Sequence, residues 1–411
     1  MPLPARNTLA VIGAGPIGLE AAAMALDHGF DVHVFEHGEI GSNIRGWGHV
    51  QLFTPWRMNV GAAARARLEA AGWQAPPGDE HPSGAEYVAR VLEPLAALPE
   101  LAPRVHRFAQ VVHVSRRGML KGDHGAEPSA RRAQPFRLLV RDQGGRESLL
   151  HAFALVDASG VFMQPNWAGD GGIPARHEMA QRPYMHYDLP DVLGLARNRF
   201  AGRRTLVVGS GASAATTIGA LATLADETPG TSAVWVTRDL AALYPERADD
   251  PLAVRRALYA RARELASGAH PAIAHVGGAT IEEFQFNSAT HKTRVQLALG
   301  DAPRIEEVDE IVVNAGFRPD LALHRELQVR TCEGSEAPMR LAAALADVRG
   351  ADCLDVPAFG ADVLAHPEPD FFVIGHKSYG RNPQFLLETG FRQVADVVAR
   401  LARELHAGVA G

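Results

Sequence analysis

The sequence predicts an α/β protein assembled from one device used twice. Two observations carry the prediction. A strand, a glycine-rich turn, a small-residue helix and a second strand occupy 7–36, "NTLAVIGAGPIGLEAAAMALDHGFDVHVFE". The same order returns at 204–238, "RTLVVGSGASAATTIGALATLADETPGTSAVWVTR". Each is a βαβ unit, marked by apolar periodicity that switches from strand-like to helical and back.

After the first unit, residues 41–60, "GSNIRGWGHVQLFTPWRMNV", hold no clean period and read as a loop with short elements. Residues 84–97 read as helix. "VVHVS", "FRLLVRD" and "HAFALVDASG" read as strands, the last two joined across a "QGG" turn and feeding back to the first unit. "PNWAGDGGIPARHE", rich in Pro and Gly, reads as a domain crossing. After the second unit and an arginine-rich helix at 251–267, "TIEEFQF", "TRVQLAL" and "EIVVNAGFRPD" read as a second antiparallel set. The chain closes on "DFFVIGHKSYGRNPQFLLETGFRQVADVVARLARELH", a strand, a turn and a long amphipathic helix. The expected boundaries are 1–167 for the first part of one domain, 168–339 for the second domain and 340–411 for the return to the first.

Bulk properties narrow the function. A formal net charge of −6 offers no basic footprint for nucleic acid, and no apolar run is long enough to span a membrane. The N-terminal apolar stretch is short, holds three glycines and lacks the basic flank of a secretory signal, so a cytoplasmic protein is expected. Cys332 and Cys353 form no CxxC or metal-ligand pattern and read as ordinary thiols, with no metal expected. Of the cationic residues only Lys121, Lys292 and Lys377 are lysines; that bias reads as genome composition.

The two turns carry the chemistry. In Gly13-Ala14-Gly15-Pro16-Ile17-Gly18, Gly13 permits the tight turn, Gly15 lets a pyrophosphate approach the backbone, and Gly18 lets helix pack on strand. The helix N-terminus offers free N–H groups to the phosphate. Glu36 closes the second strand, where an acid binds ribose hydroxyls. The second turn is Gly209-Ser210-Gly211-Ala212-Ser213-Ala214. There Thr237 and Arg238 stand where Glu36 stands in the first. A carboxylate would repel a 2′-phosphate; a guanidinium pairs with it in fork geometry. Two Rossmann-like domains are therefore expected, one for FAD and one for NADPH, with Arg238 as a solvated strand-end charge the alternative.

On these motifs the chain resembles the flavoproteins with two dinucleotide-binding domains, which include thioredoxin-reductase-like enzymes and flavin-containing monooxygenases. The resemblance spans nearly the whole chain. "ALVDASGVFMQPN" resembles the motif that leads from the FAD domain to the NADPH domain, with Gly160 at its turn. "IVVNAGFRPD" resembles the matching motif on the way back, and "FFVIGHKSYG…FLLETG" the C-terminal FAD segment. Two departures stand out. The usual Gly-Asp, whose acid binds the ribityl chain, is Gly375-His376. The monooxygenase fingerprint FxGxxxHxxxW/Y keeps only His186; Ala180, Arg182 and Pro190 stand elsewhere in it. The resemblance is to a divergent branch.

The resemblance also implies site residues. Arg45, Trp47, His49 and Gln51 lie in the loop that approaches the isoalloxazine, with Trp47 and Trp56 loosely matching a flavin-contacting Gly-Gly-x-Trp. His376, Lys377, Tyr379 and Arg381 lie in the flavin-facing turn. Asn382 and Pro383 suit the N-cap and N1 positions of the last helix, followed by Gln384; that helix start faces the flavin pyrimidine and its dipole favours reduced flavin. Val111 on the "VVHVS" strand completes the cofactor contacts. His49, His376 and Arg381 are the catalytic candidates, each with packing or solvation as the plainer alternative.

Three functions stay open. The leading one is a monooxygenase: NADPH reduces FAD, O₂ adds to the flavin, and a C4a-hydroperoxide transfers oxygen to a small organic substrate, the cofactor carrying the chemistry. The GxGxSA form of the second loop and the lack of a cysteine pair beside the flavin favour it. The second is an NADPH-dependent reductase or diaphorase without a dithiol. The third is a flavin-bound sensor or partner-binding protein. A homodimer is left open.

Overall fold

The computed structural model of the protein describes residues 4–125, 127–239, 243–244, 250–300, 302–348, 354 and 359–409. Within these residues the contacts divide the chain into two units. The first comprises 1–45, 54–164 and 318–411, and the second 46–53 and 165–317.

The first unit is built on a parallel sheet. β1 (Thr8–Ile12), β2 (Asp31–Phe35), β3 (Val105–His106), β7 (Ala154–Asp157) and β15 (Phe371–Val373) lie in the order β15-β7-β1-β2-β3. β1 is buried along its whole length, as a strand covered on both faces must be. The alanine-rich helix Pro16–Asp27 covers one face and packs against the last helix, Leu387–Val409. A Cβ on Gly390 would collide with Ile17, so that glycine sets how closely the two helices approach. Beside the sheet, β4 (Ala109–Arg116), β5 (Phe136–Asp142) and β6 (Glu147–Ala152) form the expected antiparallel meander. Its apolar face joins Leu155 and Phe371 in one core.

Two carboxylates organise the helices around this sheet. Glu20, 1% exposed, accepts from the backbone N–H groups of Ala63 and Ala64 at 2.9 and 2.8 Å. It caps the helix Ala62–Ala70, whose own N-cap is the side-chain-free Gly61. Ser83 and Glu86 form a capping box at the head of the 84–96 helical stretch. That stretch is not one α-helix: Val88–Leu92 is a π turn between Gly84–Tyr87 and Glu93–Ala96. Pro94 explains it. It has no N–H for the carbonyl of Arg90 four residues back, and Trp73 Nε1 donates to that carbonyl instead, at 2.7 Å.

The second unit repeats the plan. β8 (Arg204–Val208), β9 (Ser232–Thr237), β10 (Ile273–Gly277) and β14 (Glu310–Val313) form a parallel sheet in the order β10-β9-β8-β14. β11 (Ala279–Asn287), β12 (Lys292–Leu299) and β13 (Ala302–Val308) form the meander. Here the structure corrects an expectation. "EIVV" is not antiparallel; it pairs parallel with β8, Glu310 opposite Thr205, and is buried throughout. Its unbroken apolar run is that of a strand covered on both faces.

The return to the first unit also differs, coming at Arg318 and not at 340. Leu323 and Leu327 lie in the first unit's core with Val111. Gln328 N–H donates to Glu368, whose buried carboxylate also pairs with the buried guanidinium groups of Arg116 and Arg131. Cys353 lies outside the described residues, and Cys332 is half-buried.

Candidate functional site

The first glycine turn is forced by its neighbours. Gly13 has φ +101°, and a Cβ there would lie 2.8 Å from the carbonyl oxygen of Ala158. A Cβ on Gly18 would collide with the Gly13 carbonyl. Gly15 is different: a Cβ there meets nothing within 4 Å. Its lack of a side chain answers no need of the chain itself and leaves a concavity open at the start of the Pro16–Asp27 helix, as a phosphate cradle requires. Pro16 takes the first helical position.

Glu36 closes this cradle, 4% exposed. It accepts from Ala14 N–H at 2.8 Å and Gly38 N–H at 3.1 Å and pairs with His37 Nδ1 at 2.8 Å. Burial pushes this carboxyl up, but His37 and the two backbone donors outweigh burial and hold it below the usual carboxylate range. The same hydrogen bond raises His37. An ionised acid is thus fixed at the end of β2, beside the first glycine turn. His37 escaped the sequence reading, although its place directly after Glu36 signals it.

At the end of β7 lies a buried ion pair. Lys377 Nζ is 2.6 Å from Asp157 Oδ2 and 3.0 Å from Ser159 Oγ. Ser159 donates its N–H and hydroxyl to Asp157 Oδ1 at 3.0 and 2.6 Å. Lys377 is 1% and Asp157 0% exposed. Burial drives Asp157 toward its neutral form; the Lys377 charge and the hydrogen bonds reverse that and hold it below the usual range. His324 Nε2 sits 4.0 Å from the same oxygen, and burial pushes its pKa down to about 4. This cluster holds the loop through Gly160 against the turn at 375–380. Asp157 and His324 were missed in the sequence. Asp157 had a signal: it precedes "ASG" as Asn314 precedes "AGF" in the second unit.

The turn itself carries Gly375 (φ +71°), whose N–H donates to Gln393 Oε1 at 2.8 Å. His376 stacks on Phe385 at 5.6 Å and meets Phe162 edge-on at 5.9 Å. Burial lowers its pKa to about 4, so it is a neutral aromatic at pH 7 and not a charged acid catalyst. Tyr379 is buried, and Arg381 is spent on Glu336 at 2.8 Å. The last helix corrects another expectation. Asn382 Oδ1 accepts from Gln384 N–H at 2.9 Å, closing a local turn, and the helix begins at Leu387. Asn382 and Pro383 are therefore not its N-cap and N1. Arg45 is committed to Glu93 and the Ile40 carbonyl, and Val111 is a buried core residue beside a β-bulge.

In the second unit Gly209 (φ +135°) faces the Asn314 carbonyl, which a Cβ would strike, while a Cβ on Gly211 meets nothing within 4 Å. The two cradles thus share one construction. Ser210 is exposed and Ser213 half-exposed at the start of the Ala212–Glu227 helix. Trp235 Nε1 donates to the Gly209 carbonyl at 2.8 Å, and the Tyr244 hydroxyl to that of Gly211 at 2.9 Å. Neither buttress was foreseen. Asn314 Oδ1 accepts from Thr217 Oγ1 at 2.8 Å, a neutral counterpart of the Asp157 pair. Arg238 is exposed at the end of β9, beside Thr237, whose hydroxyl lies 3.0 Å from His275 Nε2. His186 sits with Glu310 and Asp188, at 3.7 and 3.5 Å, in an ion cluster with Arg199. Trp47, His49 and Gln51 fall within the second unit, and His49 and Gln51 border a cavity there.

No family model and no curated protein matches the chain. Solved structures do match over nearly its whole length. A bacillithiol disulfide reductase from Bacillus cereus has a TM-score of 0.66 at 16% identity, covering 97% of this chain and 99% of its own. An FAD-bound cadaverine monooxygenase of desferrioxamine biosynthesis from Erwinia amylovora has a TM-score of 0.65 at 14% identity, covering 98% and 94%. An ornithine N-hydroxylase from Kutzneria sp. 744 has 0.63 at 16%, covering 98% and 100%. The chain therefore has the two-domain FAD/NAD(P)-binding flavoprotein fold.

Proposed function

We propose that the protein is an FAD-dependent, NADPH-using oxidoreductase, and within that class a monooxygenase acting on a small organic substrate. One observation carries the reading: two phosphate cradles of the same build end in opposite charges, a buried carboxylate at Glu36 and an exposed guanidinium at Arg238. The first suits the free ribose hydroxyls of FAD, the second the 2′-phosphate of NADPH.

The residues fit FAD at its pyrophosphate and ribose ends, where Gly15 leaves space no side chain of the chain fills and Glu36 is ionised. At the ribityl end the usual acid is absent. His376, Phe162 and Phe385 form a neutral aromatic group there, while Lys377 and Asp157 neutralise one another. FAD, once bound, would supply hydride acceptance from NADPH and oxygen activation. The chain binds and orients: Glu36 holds ribose, the 375–380 turn holds the ring end, and Arg238 selects the reductant.

The disulfide-reductase neighbour gives the second reading some support. Against it, Cys332 is the single cysteine among the described residues. A reductase of this chain would have to work without a dithiol. Anaerobic NADPH should bleach the flavin absorbance, also in the Cys332→Ser, Cys353→Ser double variant. Label from ¹⁸O₂ should then enter a product in a substrate screen. Rapid electron delivery to menadione with no oxygen incorporated into any compound would favour the reductase, and no bleaching at all would overturn both.

A further inference from the structure

The two glycine turns differ at one peptide, and the difference traces to a paired exchange of residues. Their strands are in the same register: Gly13 N–H donates to the Phe35 carbonyl at 2.8 Å, and Gly209 N–H to that of Val236 at 3.1 Å. Val34 on β2 therefore matches Trp235 on β9, Glu36 matches Thr237, and Gly18 matches Ala214. In the first turn a Cβ at Gly18 would lie 1.9 Å from the Gly13 carbonyl oxygen, so that carbonyl rests over a bare glycine. Ala214 brings the Cβ that this arrangement forbids. Gly209 sits at φ +135° where Gly13 sits at +101°, and its carbonyl accepts from Trp235 Nε1 at 2.8 Å. Val34 has no donor to offer in its place.

The turned carbonyl carries its neighbour with it. Across a trans peptide the C=O and the following N–H point in opposite directions. Trp235 is fully buried, so the Gly209 carbonyl points inward and the Ser210 N–H outward, on an exposed residue. The matching N–H of the first turn, that of Ala14, is taken by the Glu36 carboxylate at 2.8 Å. Ser210 N–H has no acceptor among the described residues. Thr237 carries no carboxylate, and its hydroxyl is engaged by His275 Nε2 at 3.0 Å and the Asp239 carbonyl at 3.3 Å. A backbone donor that serves an anion in the first turn is therefore left open in the second, at the strand end that carries Arg238.

We propose that Trp235 is a positioning residue for the 2′-phosphate of NADPH: by holding the Gly209 carbonyl it aims the Ser210 N–H at the place that the Glu36 carboxylate fills in the first turn. The proposal rests on the reading of the second cradle as the NADPH site and deepens it. Arg238 is an exposed charge on a long side chain, whereas the Ser210 N–H is a donor fixed in the backbone, and hydrogen bonds to an ionised acceptor are the strong ones.

Calorimetric titration of the purified full-length protein with NADP⁺ and with NAD⁺ tests it, in the parent and in Trp235→Phe, which keeps a ring in the core and removes the donor. NADP⁺ affinity should fall about tenfold while NAD⁺ affinity holds, a split that loosening of the core alone does not produce. Equal losses for both, or no loss for NADP⁺, would overturn the proposal. Amide spectra of the ¹⁵N-labelled parent give a second reading should circular dichroism show that the variant has failed to fold. There 2′-AMP should shift the Ser210 N–H and, through the shared peptide, the Trp235 indole N–H; adenosine should shift neither. Both signals unmoved by 2′-AMP would also overturn it. A parent that binds NADP⁺ no better than NAD⁺ defeats the NADPH reading and this proposal with it. A parent preference that survives intact in Trp235→Phe defeats this proposal alone.

Discussion

Replacing Lys377 with Met should cost the first unit about 3–5 kcal/mol at pH 7, the range for breaking a buried ion pair by removing one partner. The figure follows from the site. Asp157 is fully buried, and its close cationic partner is Lys377 at 2.6 Å. Without it the carboxylate keeps the Ser159 hydrogen bonds and the His324 imidazole at 4.0 Å. The sign with pH follows. A carboxyl held below its unfolded value contributes stability above that value and loses it as pH falls through the folded value. In Lys377→Met the carboxyl is no longer held down, so it protonates readily and the deficit against the parent shrinks toward pH 4–5. Urea unfolding of parent, Lys377→Met, Asp157→Asn and the double variant at pH 7 and pH 5 measures this. The double variant should recover most of the loss, because it leaves no unpaired charge. A Lys377→Met deficit below about 1 kcal/mol at pH 7, or a double variant no better than the single, would refute the argument.

Other outcomes follow from the same geometry. Gly15→Val should leave the apo fold intact, since its side chain meets open space, yet abolish FAD retention; Gly13→Val should lower apo stability as well, and equal FAD content in parent and Gly15→Val would count against the cradle. Arg238→Ala should weaken NADPH by about 1–3 kcal/mol and leave NADH unchanged; equal loss of both in steady-state KM would remove Arg238 from the ribose site. Burial lowers His324, His366 and His376 to about 4. Unfolding between pH 6.5 and 4 should therefore take up as many as three protons, with stability falling as pH drops by up to about 4 kcal/mol per unit. His376→Phe should cut that slope by one proton in urea titrations at several pH values.

Features written in neighbouring residues were legible in the sequence. Both glycine turns, Glu36 and Arg238 lie within single βαβ units, and the positive φ at Gly13 and Gly209 is a local demand. What was misread depends on partners far along the chain. The Asp157–Lys377 pair joins residues 220 apart, and nothing near Lys377 announces an acid. "EIVV" looks the same whether its neighbour runs parallel or antiparallel; β8 decides. Asn382 carries a helix-cap residue type, but its oxygen is claimed two residues on, and the helix starts five residues after Asn382. Burial keeps His376 neutral, and one ring packed against it, Phe162, lies more than two hundred residues earlier.

The interrupted first unit has a consequence for synthesis on the ribosome. β7 emerges with Asp157, yet β15, which pairs with it at the sheet edge, and Lys377 follow only after the entire second unit. At about 5–20 residues per second, 220 residues take about 10–45 s. During that interval the nascent first unit carries an uncompensated acid and an open strand edge, and residues 165–317 are completed before it ends. A chain stopped before Phe371 lacks both the strand that closes the first sheet beside β7 and the cation that pairs with Asp157.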